Sequence, residues 1–181
     1  MLHPSASRDE VSEPGGSRHQ ASPGAVAVRT QASLREAVVR EARSWLGTPY
    51  HHMGRVKGAG VDCATLLAEV YARAGALPHV PIAHYPPDWH LHRDVERYLA
   101  IVLQVAQEVP ARRAEPGDIA LFRWGRCFAH GAILAAPWPE EIIHAYAPVG
   151  AVTAGRADQG RLKGRDVRFF SVFPSSSPDI A

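Results

Sequence analysis

The chain has 181 residues, 46% of them hydrophobic and 21% charged, with a net charge of +2; that is the size and balance of one globular domain around a single core. So small a charge excludes a dedicated nucleic-acid binder, whose basic residues gather in a patch or stripe, and no stretch reaches the ~20 apolar residues needed to cross a bilayer. Two cysteines, Cys63 and Cys127, are too few for a disulfide framework and are read as reduced thiols.

Residues 1 to 31 are rich in Ser, Pro, Gly, Arg and Glu and contain no apolar h-region. They are expected to be disordered and to lack a secretory signal, so the protein is expected to be made in the cytoplasm without signal-driven export. One domain is expected over 32–173, followed by a flexible tail, 174–181. Ser33 and Glu36 have the spacing of a capping box, and Val38, Ala42, Trp45 and Leu46 continue at helical spacing until Gly47 and Pro49. After a glycine-rich connection (Gly54, Gly58, Gly60), Asp62 is an N-cap that places Cys63 in the first turn of a second helix. Leu67, Val70, Tyr71 and Ala74 are its apolar stripe and Gly75 its stop. A third helix is expected over 88–106, with Val95, Tyr98, Leu99 and Val102 inward, and 110–117 reads as a loop with a Pro-Gly turn. From Ile119 the pattern changes to short strands, over 119–124, 128–135, 141–146, 150–154 and 167–173. Helices first and strands after define an α+β domain, with N-terminal helices packed on an antiparallel sheet.

Three residues stand out chemically. The start of a helix stabilises an anion through its unpaired N–H groups, which suits a cysteine that must attack as a thiolate; the adjacent charge of Asp62 works against this. His130 interrupts an apolar strand, where alternation puts it on the face of Phe128, Ala132 and Leu134. His144 interrupts the next one, and the Pro137–Pro139 turn region allows the two strands to lie side by side. Cys63, His130 and His144 then have the residue types of nucleophile, base and orienting group. The same side chains have structural readings as well, Cys63 as a small buried hydrophobe and each histidine as a satisfied core residue. With Cys127 they are also the ligand types of a zinc site, though no tight cysteine pair is present. His51, His52, His84, His90 and His92 are read as surface residues without an assigned role.

Gly47-Thr48-Pro49-Tyr50 and Gly60-Val61-Asp62-Cys63-Ala64 resemble the nucleophile region of the NlpC-type cell-wall cysteine peptidases. Glu115-Pro116-Gly117-Asp118-Ile119 resembles the turn and strand preceding that family's base, Ala129-His130-Gly131-Ala132-Ile133 its base motif, and Ile143-His144-Ala145 its third-residue motif. The resemblance spans 34–150. It implies a papain-like fold and hydrolysis of bacterial peptidoglycan stem peptides between γ-D-glutamate and the diamino acid. It assigns Cys63 as nucleophile, His130 as base and His144 as orienting residue, with no cofactor, and implies no nucleic-acid or membrane partner. It also maps Tyr50 to the oxyanion position and Asp62 to a contact with the substrate's amine end. The family's usual Asp-Cys-Ser-Gly is Asp62-Cys63-Ala64-Thr65 here. Gly125 to Phe128 is similar to the branch found in phage and prophage tail hydrolases, which implies other tail proteins as partners. Two other functional classes stay open: a structural tail component with an idle site, and an amidase or acyltransferase relative. The acyltransferase needs a long apolar groove, and the sequence announces none.

Overall fold

The computed structural model describes residues 29–86 and 96–173. Of the segment expected to be disordered, 1–31, residues 1–28 lie outside these residues, as do the expected tail 174–181, the expected first turns of the third helix, 88–95, and His90 and His92; its last residues are ordered instead, since Thr30 caps and Gln31 opens the first helix. Helix α1, Gln31–Arg43, is capped by Thr30, whose hydroxyl accepts from the Ser33 amide. Ser33 is therefore inside the first turn rather than the cap, because Thr30, an equally good capping residue, stands one turn earlier. Trp45 beyond the helix end is fully buried and donates its indole N–H to Glu41.

The glycine-rich connection is a small antiparallel hairpin, β1 (Arg55–Val56) against β2 (Gly60–Val61). Gly54 and Gly60 permit it: a Cβ on Gly54 would meet the Gly60 backbone at 2.6 Å, and one on Gly60 would meet the His51 Cβ at 2.6 Å. Helix α2, Cys63–Arg73, follows at once and is capped by Asp62 in a reciprocal capping box with Thr65. Helix α3, Arg97–Val105, buries Tyr98, Leu99 and Val102, the inward stripe expected of it.

Six strands form one antiparallel sheet in the order β3-β8-β4-β5-β6-β7. They are β3 (Gln107–Val109), β4 (Ile119–Trp124), β5 (Cys127–Leu134), β6 (Ile142–Tyr146), β7 (Ala151–Gly155) and β8 (Val167–Ser171). The sequence did not announce β3, an edge strand whose Gln107 and Glu108 are exposed and which has no apolar alternation to read. One face carries Leu121, Ile133, Ile143 and Phe170 against Val38, Leu66, Val70 and Tyr71 of the helices. The other carries Ala120, Phe122, Leu134 and Ile142, covered by Trp138, Ala157 and Leu162. At the β7 edge the chain from Gly47 to Tyr50 adds three backbone bonds, Gly47 to Val152, Val152 to Thr48 and Tyr50 to Gly150, which fixes Tyr50 beside the hairpin.

The register of β4 on β5 slips between Phe122 and Arg123: Phe122 pairs with His130, but Arg123 pairs with Phe128. Ala129 is thus the extra residue of a β-bulge. Phe128 consequently packs with the helix-side cluster, whereas Ala132 and Leu134 belong to the other one. The expected common face of Phe128 and His130 does not occur, because simple alternation fails across a bulge.

Gly131, next to the bulge, is where α3 meets the sheet. A Cβ there would stand 2.1 Å from the Tyr98 hydroxyl and 2.9 Å from Leu67 Cδ1. Gly131→Ala should therefore destabilise the protein by about 1–3 kcal/mol through overpacking, read from urea unfolding; a neutral effect would mean that α3 can shift without penalty.

Candidate active site

The site begins with the Asp62 cap. Its Oδ1 accepts from the Ala64 and Thr65 amides and from the Thr65 hydroxyl, at 3.1, 2.9 and 2.8 Å. Its Oδ2 accepts from the Tyr85 hydroxyl at 2.6 Å and the Met53 amide at 2.8 Å, and His52 Nδ1 lies 3.5 Å away. Asp62 is only 1% exposed, and every one of these donors belongs to the protein itself. A substrate amine would reach this carboxylate only by displacing one of them. His52, read from sequence as a surface residue, is half-buried and its Nε2 lies 2.7 Å from the Tyr85 carbonyl oxygen.

The cap places Cys63 at the first position of α2. The Cys63 sulfur lies against the backbone on both sides of His130: the thiol points to the Ala129 carbonyl at 3.9 Å, and the Gly131 N–H points to the sulfur. The Cys63 carbonyl accepts from the Tyr98 hydroxyl at 3.0 Å, so α3 also holds the first turn in place. Cys63 is exposed only in part. Loss of water, and then the Asp62 charge, push its thiol up to about 12, against the Gly131, Cys63 and Ala64 N–H groups that favour the thiolate.

The two histidines meet. His130 Nε2 and His144 Nδ1 are 2.7 Å apart, although the β5–β6 ladder is confined to Ile133↔Ile143 and Leu134↔Ile142. The imidazoles lie just beyond that paired stretch. Tyr146 stacks on His144 with ring centroids 4.8 Å apart and planes at 15°, and Trp124 lies at 5.8 Å from the His130 ring. His130 is 8% exposed and His144 3%. Burial lowers both, His130 to about 3, with His144 and Arg165 adding to the effect, and His144 to about 4. These shifts favour a neutral thiol and neutral imidazoles at rest.

Cys63, His130, Tyr50 and Tyr146 all line one cavity of about 700 Å³. Burial, with Cys63 and Asp62 adding to it, raises the Tyr50 phenol, so its hydroxyl stays a donor at neutral pH. The structure thus gathers all five residues singled out from sequence, with Asp62 committed to the fold. Tyr85, Tyr98 and His52 were missed, since their partners are distant in sequence and no periodicity links them. Among the described residues no group of three or more His, Cys, Asp or Glu side chains is placed to hold a metal ion. Cys127 is buried near the β4–β5 turn, opposite Trp124.

No family model and no curated protein matches the chain. Solved structures do. The NlpC/p60 domain of the peptidoglycan hydrolase SagA is 22% identical, with TM-score 0.50 over 74% of this chain and 96% of that one. The peptidoglycan hydrolase RipB of Mycobacterium tuberculosis is 20% identical, with TM-score 0.53 over 81% and 70%. NlpC1 of Trichomonas vaginalis is 18% identical, with TM-score 0.54 over 75% of this chain and 42% of that one. At these identities the likeness establishes the fold: the chain has the papain-like α+β fold of NlpC/p60 domains, as the motifs implied.

Two measurements follow from the protonation states. Iodoacetamide labelling of Cys63, followed by peptide mass spectrometry, should rise about tenfold per pH unit between pH 7 and 10; a plateau starting near pH 6 would mean a preformed ion pair. Both histidines have folded values below the unfolded 6.5, so the unfolded chain binds more protons between about pH 4 and 6.5 and stability falls as pH drops through that window. A His130→Gln/His144→Gln variant should lose about 3–4 kcal/mol less than the parent between pH 7 and pH 5 in urea unfolding. Equal losses would show that the native imidazoles are already charged.

Proposed function

We propose that the chain is a cysteine peptidase that hydrolyses bacterial peptidoglycan stem peptides. The observation that carries this reading is the placement of the Cys63 sulfur against the backbone flanking His130, with His130 in turn bonded to His144 at 2.7 Å. A nucleophile, a base beside it and a third group fixing the base are the parts that acyl transfer requires. The N–N bond holds a single proton. For His130 to act as base, its Nε2–H donates to His144 Nδ1, leaving His130 Nδ1 with a lone pair for the thiol.

In this reading attack and proton transfer occur together, since neither ion is stable at rest. As the Cys63 sulfur bonds to the substrate carbonyl, its proton passes to His130. The Cys63 N–H at the start of α2 and the Tyr50 hydroxyl stabilise the oxyanion. His130 then protonates the leaving amine, and water, deprotonated by His130, releases the acyl group and restores the thiol. The choice of peptidoglycan, and of the bond between γ-D-glutamate and the diamino acid, is supported by the resemblance of the four motifs. It is also supported by the likeness to SagA and RipB, both peptidoglycan hydrolases. The similarity of 125–128 to tail hydrolases supports an enzyme carried with other phage tail proteins, which its detection in purified tail particles would test.

Purified stem fragments incubated with the protein should yield new products cut after γ-D-glutamate, read by mass spectrometry. Cys63→Ala should abolish cleavage and His130→Ala should reduce it at least about 10²-fold, both with an unchanged circular-dichroism spectrum. His144→Ala should fall between His130→Ala and the parent. Cleavage by Cys63→Ala at the parent rate, or none by the folded parent, overturns the reading.

A further inference from the structure

Among the described residues two arginines line the cavity in front of Cys63, Arg97 on α3 and Arg161. Arg161 lies near the base. Its guanidinium stands 5.8 Å from the centre of the Trp124 ring, and that ring is 5.8 Å from the ring of His130. Trp124 and His130 line the same cavity. The local chain holds Arg161 in this place. It belongs to a single helical turn, Gly160–Leu162, whose Leu162 is buried against the sheet. The Arg161 carbonyl accepts from Arg165 Nε at 2.6 Å. Arg165 is fixed in turn by the Arg123 carbonyl, 3.1 Å from its Nη1, and lies over the same indole at 3.7 Å.

Two like charges therefore share one ring. Stacking on an indole stabilises a guanidinium but does not cancel its charge. The acidic side chains of the surrounding stretch are taken by other arginines, Asp158 by Arg156 and Asp166 by Arg123. Among the described residues no carboxylate pairs with Arg161 or Arg165. A guanidinium stacked on a ring keeps its in-plane N–H groups at the edge, in the fork that takes a carboxylate by two bonds at once. Arg161 is exposed, so such a group can reach it, and its negative charge would offset the repulsion between the two arginines.

The inference rests on the peptidase reading given above. In that reaction the amine half departs beside the acid that protonates it, which is His130. The part of the substrate that meets Arg161 then belongs to the leaving half. We propose that Arg161 determines specificity by binding, at the Trp124 ring, a side-chain carboxylate carried by the amine-leaving half of the stem peptide. A diaminopimelate residue carries that carboxylate; its side-chain amide and lysine do not.

The test compares three stem tripeptides as substrates of the full chain, ending in diaminopimelate, in its side-chain amide and in lysine. For the first, kcat/KM should exceed that for either of the others by at least about tenfold, the worth of a charge-assisted bond. Arg161→Gln should lower this preference by about tenfold. Arg161→Lys keeps the charge without the fork and should restore part of it. Binding separates the inference from the reading beneath it: free diaminopimelate and free lysine are titrated into Cys63→Ala, and the Trp124 indole N–H is followed by NMR. Diaminopimelate should shift that signal more than lysine does, and the difference should vanish in Cys63→Ala/Arg161→Gln. Equal kcat/KM for the three peptides, a preference unchanged in Arg161→Gln, or one lost in Arg97→Gln instead overturns the proposal. If no tripeptide is cleaved, the peptidase reading fails; binding of diaminopimelate that depends on Arg161 then supports the carboxylate site alone, and its absence overturns both.

Discussion

The site is organised around one buried charge. A carboxylate removed from water is tolerable only when its lone pairs are met by donors, and Asp62 meets that condition through residues from three parts of the chain. Oδ1 closes the start of α2 through Ala64 and Thr65, while Oδ2 gathers Met53 and Tyr85. The position of Cys63 follows from this, since it is the residue immediately after the cap. The same charge opposes ionisation of the thiol it positions. The protein therefore holds its nucleophile accurately but protonated, and the proton has to leave as the new bond forms.

The second organising feature is a departure from sheet regularity. The extra residue Ala129 turns Phe128 toward the helices and leaves His130 opposite Phe122 on the other face. The short pairing of β5 with β6 leaves the two imidazoles to bond each other, with Tyr146 stacked over His144. Burial that keeps both rings neutral also keeps His130 available as a base. A charged ring in this position would have to be stabilised by a counter-charge, and the charged side chain that acts most on His130 is Arg165, of the wrong sign.

The reacting groups and the cavity share elements of the fold. The reacting groups lie on α2, β5 and β6, which also form the core. The cavity they face is lined by α2 itself, through Leu67, Ala68 and Tyr71, and by α3 and the chain after α2. Leu77 and Ile82, on the chain after α2, line the cavity, whereas Tyr85 on the same segment is tied to Asp62 and so to the position of Cys63.

Much of this was legible because caps and periodicities are properties of neighbouring residues. Asp62 as a cap puts Cys63 in a first turn whatever the rest of the chain does, and the apolar alternation from Ile119 makes an antiparallel sheet the economical way to bury both faces. The order Cys63, His130, His144 and the motifs around them pointed to the papain-like fold before any contact was known. The α1 cap is not legible from sequence alone, because Thr30 and Ser33 are chemically equivalent caps one turn apart. The rest depends on residues far apart in sequence: Tyr85 on Asp62, Tyr98 on the Cys63 carbonyl, and the cavity that α2 and α3 help to line. The bulge at Ala129 likewise requires the register of β4 against β5. Local sequence determined the elements and the candidate chemistry, because those follow from short-range sterics and hydrogen bonding. Only tertiary structure decided which faces met, which charges lost their water and how the cavity was lined, because each is set by packing between segments that the sequence keeps apart.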